Sequence, residues 1–223
     1  MVINSKYQAF EVNIPGEFGI SFKMPIYTNV IDLQSCQDLI SFVNSNFYRL
    51  KINKQNDPVD HIGWKDYNLF ADISLTSISF LKNQILNEYL EFTKIGKFKS
   101  KSTLWINGWI NILEMGIGIP MHCHSLHSNS YLSGFINLTE NNSSTRLYPP
   151  NIEHMNEIGV LNIPNSPGKL AIFPQWVYHS VDPVREGIRV SIGFDIHTDE
   201  AKTYADLNHS LENETIRRSV RLC

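Results

Sequence analysis

Three histidines in the second half of the chain are the residues whose types and spacing could do chemistry. His122 and His124 stand two positions apart, so on a β-strand they would present two imidazoles on one face while Cys123 turns away. A third imidazole from His179 could close one face of a first-row metal ion and leave the opposite positions open. Arg189 offers a planar charged fork that suits a carboxylate. The pattern therefore predicts a metal site beside a site for an anion.

The elements that must position these side chains are predicted to be short strands. From residue 102 onward, β-prone runs alternate with clusters of Gly, Pro, Asn and Ser, and no helical period lies between them. Many short strands without interleaved helices favour a sandwich or jelly roll over a parallel sheet. The predicted strands cover residues 104–113, 131–138, 160–163, 169–173, 177–181 and 188–196.

Residues 1–100 are predicted to form a scaffold of helices and strands packed on that core. Residues 18–30 favour a strand or two, and apolar side chains recur at helical spacing over residues 36–47 and again over residues 78–92, where Gly96 marks the stop. The second part, residues 101–198, is the predicted β core. Residues 199–223 are compatible with a helix and are expected to form a peripheral C-terminal tail. We expect one structural domain overall, because 223 residues with 42% hydrophobic content can bury one large core.

Charge and composition narrow the class of partners. A net charge of −3 with scattered Lys and Arg gives no basic patch, so direct nucleic-acid binding is not expected. No apolar run reaches the length of a membrane span and the first residues do not resemble a signal peptide, which predicts a soluble cytoplasmic protein. Three widely spaced cysteines are too few for a disulfide framework, so we expect reduced thiols. The sequence leaves the oligomeric state open.

One stretch of the core resembles a known family. Gly168-Lys-Leu-Ala-Ile-Phe-Pro174, then His179, then Arg189-Val-Ser-Ile-Gly-Phe-Asp195 resembles the C-terminal half of the double-stranded β-helix in 2-oxoglutarate- and Fe(II)-dependent oxygenases. Within that superfamily, the chain is most similar to a group of oxygenases common in marine bacteria and phages, which carries His-x-His followed by Leu-Ser-Gly, here Leu132-Ser133-Gly134. The resemblance covers residues 104–197 and extends neither to the first hundred residues nor to the tail.

The resemblance implies a mainly β fold with flanking helices (α+β), a cupin-like double-stranded β-helix. His122, His124 and His179 would hold Fe(II), and no catalytic residue is implied beyond these ligands. Arg189 and the Ser191 hydroxyl would bind the far carboxylate of 2-oxoglutarate, with O₂ as the second co-substrate. The implied activity is that of a dioxygenase, expected to hydroxylate a small molecule or a protein side chain that the sequence does not reveal. The similarity to phage proteins implies the cytoplasm of a host cell as a second expected location of the protein.

Two features leave alternatives open at this point. Better-studied members of the superfamily have a carboxylate where His124 stands, and an all-imidazole set also suits Zn, Cu or Ni. His127 is a second candidate for that ligand, because its distance from Leu-Ser-Gly fits as well; the shared strand face favours His122 with His124. The alternative functions are a cupin-like three-histidine metalloenzyme that does not use 2-oxoglutarate, and a non-enzymatic jelly-roll protein that binds a ligand or builds a structure.

Other polar and aromatic residues are weaker candidates. Glu114 and Asp182 could bind the metal or orient an imidazole, although acidic residues near turns are usually solvated. Four aromatic residues could line a substrate cavity, with core packing the expected role for most of them: Trp105, Trp109, Phe135 and Trp176. Residues 50–72 and 140–157 are interpreted as loops at the rim of the pocket.

Overall fold

The computed structural model describes residues 6–13, 21–51, 60–62, 68–148, 160–208 and 211–223. The first part contains the strands β1 (Tyr7–Asn13), β2 (Ser21–Val30) and β3 (Asp60–Ile62) and the helices α1 (Gln37–Lys51) and α2 (Thr76–Gly96). The β core contains β4 (Leu104–Leu113), β5 (Ile119–His122), β6 (Leu132–Asn137), β7 (Ser144–Tyr148), β8 (Leu161–Pro164), β9 (Lys169–Pro174), β10 (Tyr178–Val181) and β11 (Arg189–Thr198). The last part contains α3 (Asp199–Leu207), α4 (Leu211–Arg217) and β12 (Val220–Arg221).

Strands β4 to β11 form two antiparallel sheets, a major and a minor one. The major sheet has the order β1-β2-β9-β6-β11-β4-β12, and β3 also pairs with β4. The minor sheet has the order β5-β10-β7-β8. The chain crosses between the sheets after β4, β5, β6, β8, β9 and β10, which is the winding of a jelly roll. The predicted mainly β jelly roll with flanking helices is therefore confirmed.

Alternation along β11 separates two chemical faces of the major sheet. All ten residues of this strand are buried, yet every second one is apolar: Val190, Ile192, Phe194 and Ile196. Successive side chains of a strand point to opposite faces. The apolar set joins the core cluster that also contains residues of α1 and α2, and the intervening set lines a cavity between the sheets. The strand thus carries a packing face and a cavity face.

Helix α2 covers the packing face. Its buried side chains recur at helical spacing, with Leu81, Ile85 and Tyr89 fully buried in the same cluster as the apolar face of β11. The helix ends at Gly96, as its sequence predicts, but the left-handed conformation that stops it is taken by Lys97, with φ of 56°. None of the described helices is long and apolar enough to cross a membrane.

Two glycines of the core allow close packing rather than unusual backbone angles. A Cβ at Gly134 would lie 2.3 Å from the ring of Phe194, its register partner on β11, and 2.4 Å from the carbonyl oxygen of Ala171. A Cβ at Gly193 would lie 2.7 Å from the indole of Trp109. A larger residue at either position would displace an aromatic ring, so both glycines fix how tightly the major sheet packs.

The last part of the chain is integrated into the fold. Strand β12 pairs with β4, Leu222 is buried, and Ala201 and Ala205 of α3 are buried. The indole Nε1–H of Trp105 donates to Asp199 at 2.8 Å at the start of α3. The peripheral position expected for this segment is therefore not what the structure has, because the apolar side of the short α3 was too weak a signal to predict docking.

All six predicted core strands are present, with ends that lie within two residues of the expected ones. Strand β7 lies in the segment interpreted as a loop, because Ser144-Thr145-Arg146 is polar and short. Strand β3 lies within the long connection predicted for residues 50–72. Much of that connection, and residues 149–157 of the second predicted rim, fall outside the described residues.

Candidate metal centre

His122, His124 and His179 converge at one end of the cavity. Their ligand atoms all lie within 4.8 Å of one another. His122 ends β5 and is the register partner of His179 on β10, with ring centroids 4.3 Å apart. The centroid of His124 lies 4.9 Å from that of His179 and 5.5 Å from that of His122. Three imidazoles at this spacing can share one metal ion.

The δ-nitrogen of each of the three rings already has a hydrogen-bond acceptor. Nδ1 of His122 donates to the carbonyl oxygen of Pro120 at 2.9 Å, and Nδ1 of His179 to that of Val177 at 3.0 Å. Nδ1 of His124 donates to Oδ1 of Asp195 at 2.6 Å. With protons on all three Nδ1 atoms, all three Nε2 atoms keep the lone pairs that a metal ion needs.

His124 reaches the cluster by a bend and not by strand alternation. Strand β5 ends at His122, and the main-chain N–H of His124 donates to the carbonyl oxygen of Gln175 at 3.0 Å. The rings of His122 and His124 nevertheless stack with an interplanar angle of 20°. The two imidazoles lie side by side, as predicted. The regular strand that was expected to place them there, however, ends one residue after Met121.

The surroundings of His179 favour a neutral imidazole. Burial, together with the neighbouring His124 and His122, holds the pKa of His179 well below its ordinary value. Burial also acts to raise the pKa of Asp195, but the adjacent His124, His197 and Ser133 hold that pKa below its ordinary value. A neutral imidazole is the form that binds metal, so burial prepares His179 for that role.

His127 lies outside this cluster. Its Nδ1 accepts the main-chain N–H of Asn129 at 3.2 Å, and its ring packs against Tyr204 of α3 with centroids 4.4 Å apart. The geometry brings His124 to the other two histidines, whereas His127 lines the outer part of the same cavity.

Arg189 is buried in the same cavity and, among the described residues, makes no direct ion pair with a carboxylate, although the charge of Asp182 acts on it from a distance. Its side chain is 1% exposed, and its terminal nitrogens donate to Ser143 Oγ at 3.1 Å, Asn137 Oδ1 at 3.2 Å and Thr145 Oγ1 at 2.7 Å. Its Nε has no hydrogen-bond partner in the part of the chain that the structure describes. Burial lowers the pKa of Arg189 to about 10. A buried cation held by neutral groups is costly, which makes the position a ready site for an anion.

The cavity joins these two ends. It has a volume of about 970 Å³ and is lined by the three clustered histidines, by Arg189, and by Ser191, which lies between Arg189 and Asp195 on the cavity face of β11. Trp109 and Phe135 line it, as their sequence positions allowed. Trp105 contacts Asp199 instead, and Trp176 packs on the core between the sheets. The volume admits a small dicarboxylate together with a further molecule.

Asp195, Ser133 and His197 belong to the site and were not predicted as functional residues. All three are buried, and Ser133 Oγ donates to Asp195 Oδ1 at 2.5 Å. Nε2 of His197 bonds to Asn107 Oδ1 at 2.6 Å. The sequence pattern that could have identified them is the alternation of side chains along β11. It places Arg189 and Ser191 on one face of the strand, and it continues on that face to Asp195 and His197. Neither acidic candidate predicted from the sequence lines the cavity: Asp182 pairs with Arg146 at 2.6 Å and acts on Arg189 only through its charge, and Glu114 is not among the lining residues.

No protein-family model matches the sequence, and no curated protein sequence matches it. Solved structures do. A prolyl hydroxylase from Trichoplax adhaerens, in complex with a hypoxia inducible factor peptide fragment, matches with a TM-score of 0.55 and 14% identity over 78% of this chain and 83% of that one. A Pseudomonas putida prolyl-4-hydroxylase matches with a TM-score of 0.52 and 11% identity over 77% and 91%.

A third match is the non-heme alpha ketoglutarate dependent epimerase from nogalamycin biosynthesis, with a TM-score of 0.55 and 12% identity over 78% of this chain and 77% of that one. The chain has the fold of the 2-oxoglutarate- and Fe(II)-dependent oxygenases. The resemblance inferred from Gly168 to Asp195 is thereby confirmed for the fold. The narrower similarity to the group from marine bacteria and phages stays a prediction.

Proposed function

We propose that this protein is a 2-oxoglutarate- and Fe(II)-dependent dioxygenase. The observation that carries the proposal is Arg189, a guanidinium that is 1% exposed, has no carboxylate partner among the described residues and shares a cavity with three converging imidazoles. A metal site alone does not require this cation. A co-substrate with a carboxylate at one end and a metal-chelating group at the other accounts for both features at once.

The residues divide the work between the two ends of the cavity. His122, His124 and His179 would hold Fe(II) through Nε2, and the metal, when bound, would supply activation of O₂ coupled to oxidative decarboxylation of 2-oxoglutarate. Arg189 and Ser191 would hold the far carboxylate. In balance, one C–H bond of the substrate becomes C–OH, while 2-oxoglutarate and O₂ become succinate and CO₂. The chain's own share is to orient the co-substrate and exclude water.

Hydroxylation is the reaction we propose for a substrate that is a small molecule or a protein side chain. The matched prolyl hydroxylase was solved with a peptide, and the matched epimerase comes from nogalamycin biosynthesis, so the fold alone does not choose between the two kinds of substrate. Tyr204 and His127 line the same cavity with their rings in contact and would contact the substrate there.

A cupin-like three-histidine enzyme that does not use 2-oxoglutarate is the second candidate. The observation that favours it is the absence of a carboxylate from the metal-ligating cluster of the described residues. Such an all-imidazole set also suits Zn, Cu or Ni. Arg189 separates the two candidates, because only the first gives this residue a ligand.

The test is an anaerobic titration of metal-free protein with Fe(II) and then with 2-oxoglutarate, followed by the visible charge-transfer absorption of the chelated keto acid. The wild type should develop the band. His179→Ala should lose it because a ligand is missing, and Arg189→Ala should need far more 2-oxoglutarate to develop it. His127→Ala is the matched control and should behave as the wild type, since His127 lies outside the cluster.

The outcomes separate the candidates. Stoichiometric Fe(II) without a band at any 2-oxoglutarate concentration would favour the three-histidine enzyme. A wild type that binds no metal would refute both and leave the non-enzymatic jelly roll. Equal 2-oxoglutarate affinities of wild type and Arg189→Ala would contradict the role proposed for the guanidinium.

A further inference from the structure

Asp195 is the residue of the cavity whose position the proposed function does not use. We propose that Asp195 is a positioning residue that orients His124 and supplies, from behind that imidazole, the negative charge that a carboxylate ligand would bring to the metal. The inference rests on the proposed metal site. Asp195 would thereby supply the charge of the carboxylate ligand that better-studied members of the superfamily have at the position of His124.

The side chains of Asp195, His124 and Ser133 each lie within hydrogen-bonding distance of the other two. Oδ1 of Asp195 lies 2.6 Å from Nδ1 of His124 and 2.5 Å from Oγ of Ser133, and Ser133 Oγ lies 2.9 Å from the same Nδ1. The hydroxyl of Ser133 donates to the carboxylate, and the ring N–H of His124 donates to both oxygens. Two partners thereby fix the plane of the imidazole as well as its tautomer.

The position of Asp195 excludes a direct ligand role. Its oxygen is not part of the cluster formed by His122, His124 and His179, and the ring of His124 stands between. The bond to Nδ1 leaves Nε2, on the far side of the ring, facing the cluster. A carboxylate in this place makes the imidazole a stronger donor to a metal ion, which is how carboxylate–histidine pairs act in other metal sites.

Charge explains why the chain needs such a group. Three neutral imidazoles bring no charge to a divalent cation, and Arg189 adds a further positive charge to the same cavity. Among the described residues that line the cavity, Asp195 alone carries a carboxyl group. It is 8% exposed, so its charge is poorly screened by water.

The surroundings of Asp195 hold it in place. It lies on the cavity face of β11, in register with Ser133 on β6 and with Asn107 on β4. Asn107 in turn bonds to His197, the next residue on the same face. The backbone at Asp195 is thus paired on both sides, and the carboxylate itself is bonded to Ser133 of β6, as a group that must fix another side chain should be.

The test compares metal binding by wild type and Asp195→Asn, measured for Fe(II) by competition with a chromophoric chelator under anaerobic conditions. The amide keeps the size of the side chain and removes the charge, so we expect roughly 10- to 100-fold weaker metal binding, the range seen when such outer partners are changed. The charge-transfer band of the Fe(II)–2-oxoglutarate complex should also shift. Asp195→Glu should recover part of the affinity, and Asp199→Asn, an exposed carboxylate near the same strand, should leave both readouts unchanged.

The outcomes distinguish this inference from the proposed function. Tight metal binding by the wild type with equal affinity and an equal band in Asp195→Asn would overturn the inference and leave the oxygenase intact. No metal binding by the wild type would be a failure of the proposed function itself.

A second measurement uses only the wild type, so it does not require that a variant folds. In zinc-loaded wild type with labelled histidine, nitrogen NMR should show His124 protonated at Nδ1 and coordinated through Nε2. Coordination through Nδ1, or a His124 without metal, would overturn the inference, because the bond to Asp195 would then not exist in the loaded site.

Discussion

Strand β11 presents two faces that are buried to the same degree and hold opposite kinds of side chain. Val190, Ile192, Phe194 and Ile196 pack in the apolar core beside α2, whereas Arg189, Ser191, Asp195 and His197 face the cavity. Burial stabilises the first set through the hydrophobic effect. It destabilises charges in the second set unless they find partners. The comparison indicates that the packing face stabilises the fold, and that the cavity face is retained for what it binds.

The largest effect is expected on the packing face, from Phe194→Ala. Removing this fully buried ring beside Gly134 should lower the free energy of unfolding by about 3–5 kcal/mol, because the cavity left behind cannot collapse against a sheet. Chemical denaturation measures the loss. The folded fraction should still bind one metal ion; loss of metal binding at full folding would mean that the two faces are not separable.

The cost of burying titratable side chains on the cavity face should appear as a dependence of the free energy of unfolding on pH. Burial lowers the pKa of His197 to about 4, so the unfolded chain takes up the proton before the folded one does. The contribution of neutral His197 to stability is therefore present above the ordinary histidine pKa and is lost as the pH falls toward 4, by roughly 3 kcal/mol at most. Burial of His179 acts in the same direction.

Denaturation of the metal-free protein between pH 7 and pH 4 tests this point. His197→Gln should lose stability less steeply over that range than the wild type. Identical slopes would show that His197 does not carry the pH dependence.

A smaller change on the packing face should have a smaller cost of the same kind. Ile192→Val removes one methylene from a fully buried side chain and should lower the free energy of unfolding by about 1 kcal/mol. Thermal unfolding with and without metal measures it. The stabilisation that metal adds should equal that of the wild type, and a change in that increment would indicate coupling across the strand.

The smallest effect on stability is expected for Arg189→Met, although Arg189 is the largest fully buried side chain of the described residues. Among the described residues this buried cation makes no direct ion pair with a carboxylate, so its removal offsets the loss of its three hydrogen bonds, and the free energy of unfolding should change by no more than about 1 kcal/mol. Affinity for 2-oxoglutarate should fall strongly in the same variant. A loss of several kcal/mol would place Arg189 among the packing residues.

Much of this could be predicted from the chain alone, where the pattern was strong. The run from Leu104 to Leu113 was placed to the residue, because a ten-residue β-prone segment has a clear period. Strand β7 was missed because its polar residues, among them Thr145, owe their burial to Arg189, which lies 44 positions away. His124 was predicted to join His122 because both would lie on one strand face; it does lie beside His122 and His179, although a bend and not a strand places it there.

The sequence by itself determined the jelly roll, the alternation of β11 and the set of side chains able to bind a metal ion and an anion, since these follow from local periodicity and residue type. The tertiary structure decided which of these side chains come into contact with one another. The contact between Asp195 and His124 spans 71 positions, and it joins β11 of the major sheet to the bend that follows β5 of the minor sheet. Long-range pairing of this kind depends on how the sheets close, and no local pattern encodes it.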